Sequence, residues 1–556
     1  MTHPFYVIVT GGVLSGLGKG VTTASLGAVF RMMGLTCTLK KLDPYLNVDP
    51  GTMNPVEHGE VFVTDDGAET DLDIGYYERF AEIRASKSNS TSSGQVFQTL
   101  LERERKGDFL GKTVQMVPHF TDELQAFIER DSHQYDVVLC EIGGSVGDVE
   151  AMAFYEALCR LRAKVGIQHF ILVHLVYIVH YQASNEFKTK PAQNAIRDLM
   201  CTGLTPDVVM CRFEHPSITA LPEETKQKLQ QHCSCVVDMP NVSSIYQLPL
   251  RLVEQKLPCF FKHRFGLAVE RPLQLERWQQ LHDSISVTEN SHMKPIRIAL
   301  VGKYVTLHDA YCSLVEAIFH SSLTTGILRP VEYIWVDARE LEERLSTMTK
   351  DAGQLHVRQV LSEADAMLLP GGFGATGLHA MIACLHEART SDLPTLGICL
   401  GMQLMVVEWM RNVVGRVHAS SHEWLEASAE KTDHRTKDTM VIGPLEELDN
   451  TQLGGTMRLG RHTVSIRPGS RAQMIYGKIH EVFERHRHRY EVQPECVPQL
   501  EKSGLRISGH REGLVEIVER ADEESSFYVG CQFHPEYTSS PFAPHPLITS
   551  WLRAAS

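Results

Sequence analysis

The sequence predicts an α/β protein with two doubly wound, mainly parallel-sheet domains, the first carrying a phosphate loop and the second a cysteine at a strand end. Short apolar runs alternate with helical segments along the 556 residues. Apolar strands separated by helices are typical of a parallel sheet covered on both faces. Nearly every strand predicted in the second half ends in Gly, Cys, His or an acidic residue. Ligands of such sheets bind at the carboxyl ends of strands, so we expect the chemistry there.

Composition narrows the function classes. The chain is 43% hydrophobic and 22% charged, which excludes intrinsic disorder. Its net charge of −14 favours neither nucleic acid nor an anionic membrane as a partner. The longest apolar run, Phe170 to Val179, is interrupted by His174 and is too short to span a bilayer. An odd count of 13 cysteines without paired zinc spacing, and no basic signal segment at the start, predict reduced thiols and a cytoplasmic location.

A break in hydrophobic periodicity divides the chain. The first domain is predicted at residues 1–282, with strands at Phe5–Val9, Cys37–Leu42, Tyr135–Glu141, His169–Ile178 and Pro206–Arg212. A polar run at 283–295 is interpreted as a linker. The second domain is predicted at 296–556, with strands at Ile296–Gly302, Val331–Asp337, Ala364–Gly372, Pro394–Cys399 and Phe527–His534.

A glycine-rich loop follows the first strand and leads into a helix. It runs from Gly11 to Thr23 and contains Lys19. Backbone N–H groups, the helix N-terminus and the lysine together favour a bound phosphate. An ordinary nucleotide loop has Ser or Thr directly after its lysine to ligate magnesium, whereas this chain has Gly20. The alternative is a glycine turn that only packs the strand against the helix.

Without that hydroxyl, a magnesium ion needs carboxylates from elsewhere. Asp73 lies in an acidic turn, and Glu141 ends a buried apolar strand, where a carboxylate is costly without a partner. A solvated acidic turn is the alternative for Asp73. Lys40 and Lys41 are adjacent in a strand, so they point to opposite faces and only one can serve the site.

A cysteine in the second domain has the setting of a nucleophile. Cys399 lies between Gly397 and Gly401 at a strand-to-helix turn, which would expose its sulfur and favour the thiolate. His534 ends another strand, and Glu536 is placed to orient its imidazole. The turn Leu369 to Gly372 would supply an N–H that joins that of Leu400 in an oxyanion hole. A buried structural cysteine is the alternative for this motif taken alone.

Several long strings resemble known families. Residues 42–53, 58–63, 141–150 and 188–193 closely resemble the CTP synthase family, and 394–403 with 530–536 resemble class I glutamine amidotransferases. The resemblance implies that ATP phosphorylates the 4-oxygen of UTP and that ammonia then displaces the phosphate to give CTP. It also implies that Cys399 attacks glutamine to release that ammonia, with His534 as base and acid and Glu536 fixing its tautomer.

The resemblance assigns site residues by position in this chain. It implies ATP binding by Gly16, Leu17, Gly18, Lys19, Gly20, Val21, Asp73, Pro240, Asn241 and Val242. It implies UTP or CTP binding by Ser15, Asp148, Val149, Glu150, Lys188, Thr189, Lys190, Pro191, Ala192, Gln193 and Lys228. It implies glutamine binding by Gly372, Leu400, Gly401, Met402, Gln403, Glu423 and Arg489. It assigns Mg²⁺ to Asp73 and Glu141, stabilisation of the transferring phosphoryl group to Lys19 and Lys41, and the ammonia entrance to His58 and Val61.

Regulation and assembly follow from the same resemblance. It implies activation by GTP, a lid at Leu453 to Gly460, a homotetramer and filaments. Two positions depart from the family pattern: Thr376 replaces an arginine, and Cys159 stands where an arginine is expected beside the CTP pocket. The first departure bears on the strength of GTP activation, and the second on the tightness of CTP feedback.

Three other readings stay open at this point. One is an ATP-dependent amidoligase that acts on a carboxylate, against which the strings 42–53 and 188–193 argue. Another is an inactive paralogue that serves as a filament subunit, although Lys19, Glu141 and Cys399 are intact. A third is a switch ATPase, which would leave the cysteine triad without a role.

Overall fold

The computed structural model describes residues 4–12, 14, 16–215, 217–267, 272–427, 439–445, 457–522 and 526–556. The chain forms two compact units, one of residues 1–50 and 73–283 and the other of residues 51–72 and 284–556. Within these described ranges, no helix combines the length and apolar character needed to cross a membrane.

The first unit is built on a parallel sheet. Within the part of the chain that the structure describes, its seven strands are, in spatial order, Cys235–Pro240, Val208–Phe213, Phe170–Tyr177, Phe5–Gly11, Val137–Ile142, Cys37–Asp43 and Ser90–Ser92. All neighbours pair in parallel. The strand order reverses beside Phe5–Gly11, which is the topological switch point of a doubly wound sheet. A separate antiparallel pair is formed by Val179–Tyr181 and Glu186–Lys188.

Helices of the first unit complete its core. They are Lys19–Met32, Asp73–Ala81, Ser93–Lys106, Thr121–Glu129, Met152–Val165, Lys190–Cys201, Glu223–Gln230, Leu248–Glu254, Leu257–Arg264 and Glu276–Glu289, which ends in the second unit. Alternate strand residues such as Tyr6 and Ile8 pack with Leu124 and Leu158 of two of these helices. Period-two strands and period-3.6 helices thus meet as the sequence predicts.

The second unit has a mixed sheet. In the described residues its strands lie in the order Val331–Asp337, Ile296–Gly302, Ala366–Leu369, Thr395–Ile398, Tyr528–Cys531, Leu514–Arg520, Leu505–Arg511, Arg458–Ile466 and Glu481–His488. The first five are parallel and the rest antiparallel. The α/β class is confirmed, and the antiparallel extension is a feature that the sequence analysis did not predict.

Helices and two small sheets surround that sheet. The helices are Pro55–His58, Cys312–Ser322, Ala338–Ser346, Lys350–Leu361, Leu378–Thr390, Leu400–Asn412, His422–Ala427, Arg471–Ile475, Val497–Lys502 and Pro546–Ala554. The small sheets are Val61–Val63 with Glu69–Asp71, and Ser420–Ser421 with Met440–Pro444 and Tyr490–Val492.

The compact units differ from the predicted domains in two places. Residues 51–72 group with the second unit, although the first domain was predicted to be continuous over 1–282. The helix Glu276–Glu289 extends into the predicted linker 283–295 because its apolar residues keep helical spacing: Trp278, Leu281 and Ile285 are all buried. The domain bounds themselves stay a prediction.

Candidate active site

The residues of the predicted phosphate site lie at the carboxyl ends of the central parallel strands. The loop after Phe5–Gly11 has positive φ at Gly16 and Gly18, which only glycine adopts without strain, and the helix then begins at Lys19. Lys19 Nζ donates to the Gly144 carbonyl at 2.6 Å. Burial lowers the pKa of Lys19, while the carboxylate of Glu141 opposes that shift.

Lys41 joins the two carboxylates predicted to bind magnesium. Its register partner in the next strand is Glu141. Lys41 Nζ donates to Glu141 Oε1 at 2.9 Å and also to Asp73 Oδ2. Lys40 points the other way and donates to the carbonyls of Phe127 and Arg130. The two lysines therefore point to opposite faces of the sheet, as strand alternation predicts.

The two carboxylates are close enough to influence each other. Burial first, and the negative charge of Asp73 second, raise the pKa of Glu141 to about 7. Tyr77 donates its hydroxyl hydrogen to Glu141 Oε2 at 2.5 Å. A pair of crowded carboxylates whose negative charge is only partly balanced is the donor set that a hard divalent cation prefers.

Gly20 explains how the loop works without a hydroxyl. A Cβ at this position would lie 1.7 Å from Asp73 Oδ1. The Asp73 carboxylate therefore takes the space where an ordinary loop places its Ser or Thr side chain. A side chain at residue 20 and the Asp73 carboxylate therefore exclude each other.

The remaining predicted nucleotide residues lie at several places in the first unit. Pro240 ends a strand, and its carbonyl accepts a hydrogen bond from Arg212 Nη1 at 3.0 Å. Asp148 Oδ2 accepts from the Ser145 N–H at 2.8 Å. Gln193 Nε2 donates to Thr189 Oγ1 at 3.2 Å in the first turn of its helix. Of the others, Asn241, Val149, Glu150 and Lys228 are exposed, and Ser15 lies outside the described residues.

Cys399 has the backbone of a nucleophile elbow. Its φ of 54° and ψ of −104° form a sharp turn between the strand Thr395–Ile398 and the helix Leu400–Asn412. Non-glycine residues rarely adopt a positive φ, and strain of this kind clusters at functional sites. The Cys399 N–H donates to the Cys531 carbonyl at 2.7 Å, which holds the turn beside the strand that precedes His534.

His534 and Glu536 form the predicted pair. His534 Nδ1 lies 2.7 Å from Glu536 Oε1, and both residues are buried. Burial opposes protonation of the imidazole, but the charges of Glu536 and Cys399 outweigh it and raise the pKa of His534 to about 10. The site therefore favours an imidazolium beside the cysteine sulfur.

A small cavity connects these groups with the inserted segment 51–72. It has a volume of about 60 Å³ and is lined by Cys399, His534, Pro55, Val61 and Tyr537, among others. The Tyr537 ring stacks on His534 at 5.0 Å, and its hydroxyl donates to the Val61 carbonyl at 2.9 Å. The predicted residue Val61 thus lies at the nucleophile, whereas His58 ends the short helix Pro55–His58 and is exposed.

The predicted oxyanion turn is held by Lys303, which the sequence analysis missed, and by Glu423, which it assigned to glutamine binding. Lys303 Nζ donates to the carbonyls of Phe373 and Gly374 at 3.2 and 2.5 Å. The Gly374 N–H donates to Glu423 Oε1 at 2.7 Å. Burial lowers the pKa of Lys303 to about 8. A Cβ on Gly371 would lie 2.8 Å from His534 Cε1, so this turn needs a glycine beside the His534–Glu536 pair.

The other predicted glutamine residues surround the elbow. Leu400, Gly401, Met402 and Gln403 form the first turn of the helix, and Leu400 Cδ2 would lie 3.4 Å from a Cβ on Gly372. Gln403 Nε2 donates to the Tyr490 carbonyl at 2.8 Å. Arg489 follows the strand Glu481–His488 and is partly exposed.

That strand places arginines and histidines on opposite faces, as alternation predicts. Arg485 Nε donates to Asp65 Oδ1 at 2.6 Å, and Arg487 Nε donates to Glu69 Oε1 at 2.9 Å. His486 instead contacts Glu516 Oε2 at 2.9 Å. The two arginines bind the hairpin within residues 51–72, and no local sequence pattern predicts this role.

This fold and site define an ATP-dependent ligase fused to a class I glutamine amidotransferase. Residues 5–267 match the model of the CTP synthase N-terminus, and residues 306–554 match that of class I glutamine amidotransferase. The CTP synthases of Hydrogenobaculum sp. and Methanopyrus kandleri are each 42% identical over 99% of this chain, which covers 97% and 99% of those proteins. The glutaminase domain of Trypanosoma brucei CTPS with bound acivicin is 34% identical over 47% of this chain and 93% of that chain, with a TM-score of 0.40.

The chain therefore belongs to the CTP synthase family. The family reaction is the amination of UTP to CTP with glutamine as nitrogen source, and it uses ATP.

Proposed function

We propose that Cys399 is the nucleophile of the glutaminase half, with His534 as its base and Glu536 as the orienting carboxylate. The observation that carries this proposal is the strained elbow of Cys399 beside a buried His534–Glu536 pair with a contact of 2.7 Å. The sulfur attacks the side-chain amide carbon of glutamine, and His534 gives its proton to the departing ammonia. Water, deprotonated by the same imidazole, then hydrolyses the thioester to glutamate.

Backbone and side-chain groups of the Gly371–Gly374 turn support this step. The N–H of Gly372 and that of Leu400 are proposed to stabilise the oxyanion. Lys303 and Glu423 hold the turn, so they are positioning residues. Ammonia is released into the cavity beside Val61, in agreement with the predicted ammonia entrance.

In the ligase half, Lys19 and Lys41 are proposed to stabilise the phosphoryl group that moves from ATP to the 4-oxygen of UTP. Two ammonium groups near the transferring charge lower its energy without covalent chemistry. Phosphate is a much better leaving group than the uracil oxygen, so ammonia can then displace it. The residues 188–193, 148–150 and Lys228 are proposed to bind UTP and CTP, and 240–242 to lie near adenine.

Asp73 and Glu141 fit a magnesium ion that accompanies ATP. They are two carboxylates at the phosphate loop, and burial first, with the negative charge of Asp73 second, raises the pKa of Glu141. Mg²⁺ typically takes one or two protein carboxylates together with substrate phosphates and water. When bound, it neutralises charge on the phosphates.

Regulation and assembly are proposed from family membership. GTP is the expected activator, a homotetramer the expected assembly, and filaments a further expectation. Thr376 is exposed between Gly374 and Gly377, and Cys159 Sγ donates to the Thr202 carbonyl at 3.1 Å. Neither side chain carries the positive charge of the family arginine, so we expect these two positions to affect GTP activation and CTP feedback. The cytoplasmic location also stays a prediction.

The choice of nitrogen source distinguishes the activity of the glutaminase half from that of the ligase half. CTP formation is measured from UTP and ATP with glutamine or ammonium chloride, using the unaltered chain and Cys399→Ala. We expect the variant to lose the glutamine-driven reaction and to keep the ammonia-driven one. Loss of both reactions in a folded variant, or survival of the glutamine-driven one, would contradict the proposed role of Cys399.

A further inference from the structure

A buried amide side chain contacts the sulfur of Cys399. Gln532 follows the strand Tyr528–Cys531 and is completely buried. Its Nε2 lies 3.6 Å from Cys399 Sγ, within the distance of an N–H···S hydrogen bond. Cys399 Sγ also lies 3.7 Å from the Arg487 carbonyl oxygen. A carbonyl can accept a proton from a thiol but repels a thiolate, whereas an amide N–H favours the thiolate.

The orientation of the Gln532 amide is set by its neighbour. Gln403 Nε2 donates to the Tyr490 carbonyl at 2.8 Å and to Gln532 Oε1 at 3.1 Å. Because Gln532 Oε1 is the acceptor in this chain, its Nε2 must face the sulfur. The reversed amide would place two N–H groups against each other and an oxygen against the thiolate.

The backbone keeps this contact in place. The Gln532 N–H donates to the Glu516 carbonyl at 2.9 Å, and the Cys399 N–H donates to the Cys531 carbonyl at 2.7 Å. The nucleophile and Gln532 are therefore anchored to neighbouring positions of two paired strands. A buried amide N–H without a hydrogen-bond acceptor would be costly, so this placement indicates that the Cys399 sulfur is its acceptor.

We propose that Gln532 is a further catalytic residue of the glutaminase half, which stabilises the attacking thiolate of Cys399 through its Nε2–H. Gln403 acts through it as a positioning residue. The inference rests on the proposed nucleophilic role of Cys399. It requires no added reactant, because the thiol proton passes to His534 and the Gln532 N–H only donates a hydrogen bond to the sulfur as negative charge develops there.

The test is the pH profile of Cys399 alkylation by iodoacetamide, followed by mass spectrometry on the full chain. The variants are Gln532→Met, which removes the donor at similar volume, and Gln532→Glu, which adds an acceptor. Cys531→Ala is the matched control, since the Cys531 thiol donates to the Phe533 carbonyl on the same strand end. The groups that face Cys399 from other elements are Glu60, Arg487, His534, Glu536 and the cavity tyrosines, and they stay unchanged.

We expect the midpoint of alkylation to rise by about one pH unit in Gln532→Met and further in Gln532→Glu, because a hydrogen bond to a charged group is lost. Glutamine-driven turnover should fall at least about tenfold, with ammonia-driven CTP formation kept. Cys531→Ala should leave the midpoint in place. An unmoved midpoint in both Gln532 variants overturns the inference, whatever happens to turnover. Survival of glutaminase activity in Cys399→Ala would instead overturn the proposed function.

Discussion

The substitution Gly20→Ala tests how the phosphate loop and the magnesium carboxylates fit together. A Cβ at residue 20 would lie 1.7 Å from Asp73 Oδ1 and 2.3 Å from its carboxylate carbon. The Asp73 carboxylate would have to retreat by more than about 1.5 Å to reach ordinary van der Waals contact. It would thereby leave Lys41 and the position proposed for the metal.

The expected loss is large because positioning dominates phosphoryl transfer. A displacement of about 1 Å at an active site can cost about 100-fold in rate, so ammonia-driven CTP formation should fall at least 100-fold. The φ and ψ of residue 20 are helical and suit alanine, so any loss of stability should come from the displaced Asp73 carboxylate and not from the helix backbone. Thermal unfolding of the variant therefore distinguishes a site effect from a folding defect.

The assay follows CTP from UTP, ATP and ammonium chloride across a magnesium titration. Gly353→Ala is the matched control, because the new Cβ in the helix Lys350–Leu361 would meet only a methyl of Leu345, from the helix Ala338–Ser346, at 3.2 Å. The reasoning would be refuted if Gly20→Ala formed CTP within about twofold of the unaltered chain, with the same magnesium dependence.

Three further predictions concern the second unit. Thr376→Arg should strengthen GTP activation of glutamine-driven turnover, and identical GTP titrations would show that the residue has no such role. Arg485→Met should lower the free energy of unfolding by about 2 kcal/mol, since it removes the buried arginine that pairs with the partly exposed Asp65. The matched change Arg467→Met, at an exposed arginine whose partner is Glu501, should cost under about 1 kcal/mol in the same denaturant series. Burial lowers the pKa of His462 to about 4. As the pH drops from about 6.5 to about 4, the unfolded chain therefore binds a proton at this residue before the folded chain does, and the free energy of unfolding should fall. In His462→Gln this part of the acid sensitivity should disappear from thermal unfolding curves.

The local sequence pattern was enough to predict the main strands and the side chains that share a face with the candidate site. The ten strands predicted from apolar runs all appear near their predicted bounds, because burial on both faces selects continuous β-branched sequence. Alternation along a strand predicted that Lys40 and Lys41 point to opposite faces, and in the structure it is Lys41 that contacts Glu141. It also separated Arg485 from His486. The elbow at Cys399 was predictable because Gly397 and Gly401 lie two residues before and after it in the sequence.

Contacts between distant segments were decided only by the tertiary structure. The hairpin of residues 51–72 joins the second unit through the pair Arg485–Asp65, whose members are 420 residues apart. Nothing local marks Asp73 as the group that fills the space above Gly20, or Gln532 as the donor to Cys399 Sγ. Sequence periodicity reports which face of an element is buried, whereas the partner on that face depends on how all the strands are ordered in the sheet. The sequence alone therefore determined the chemistry available to this protein, and the strand order determined which groups meet.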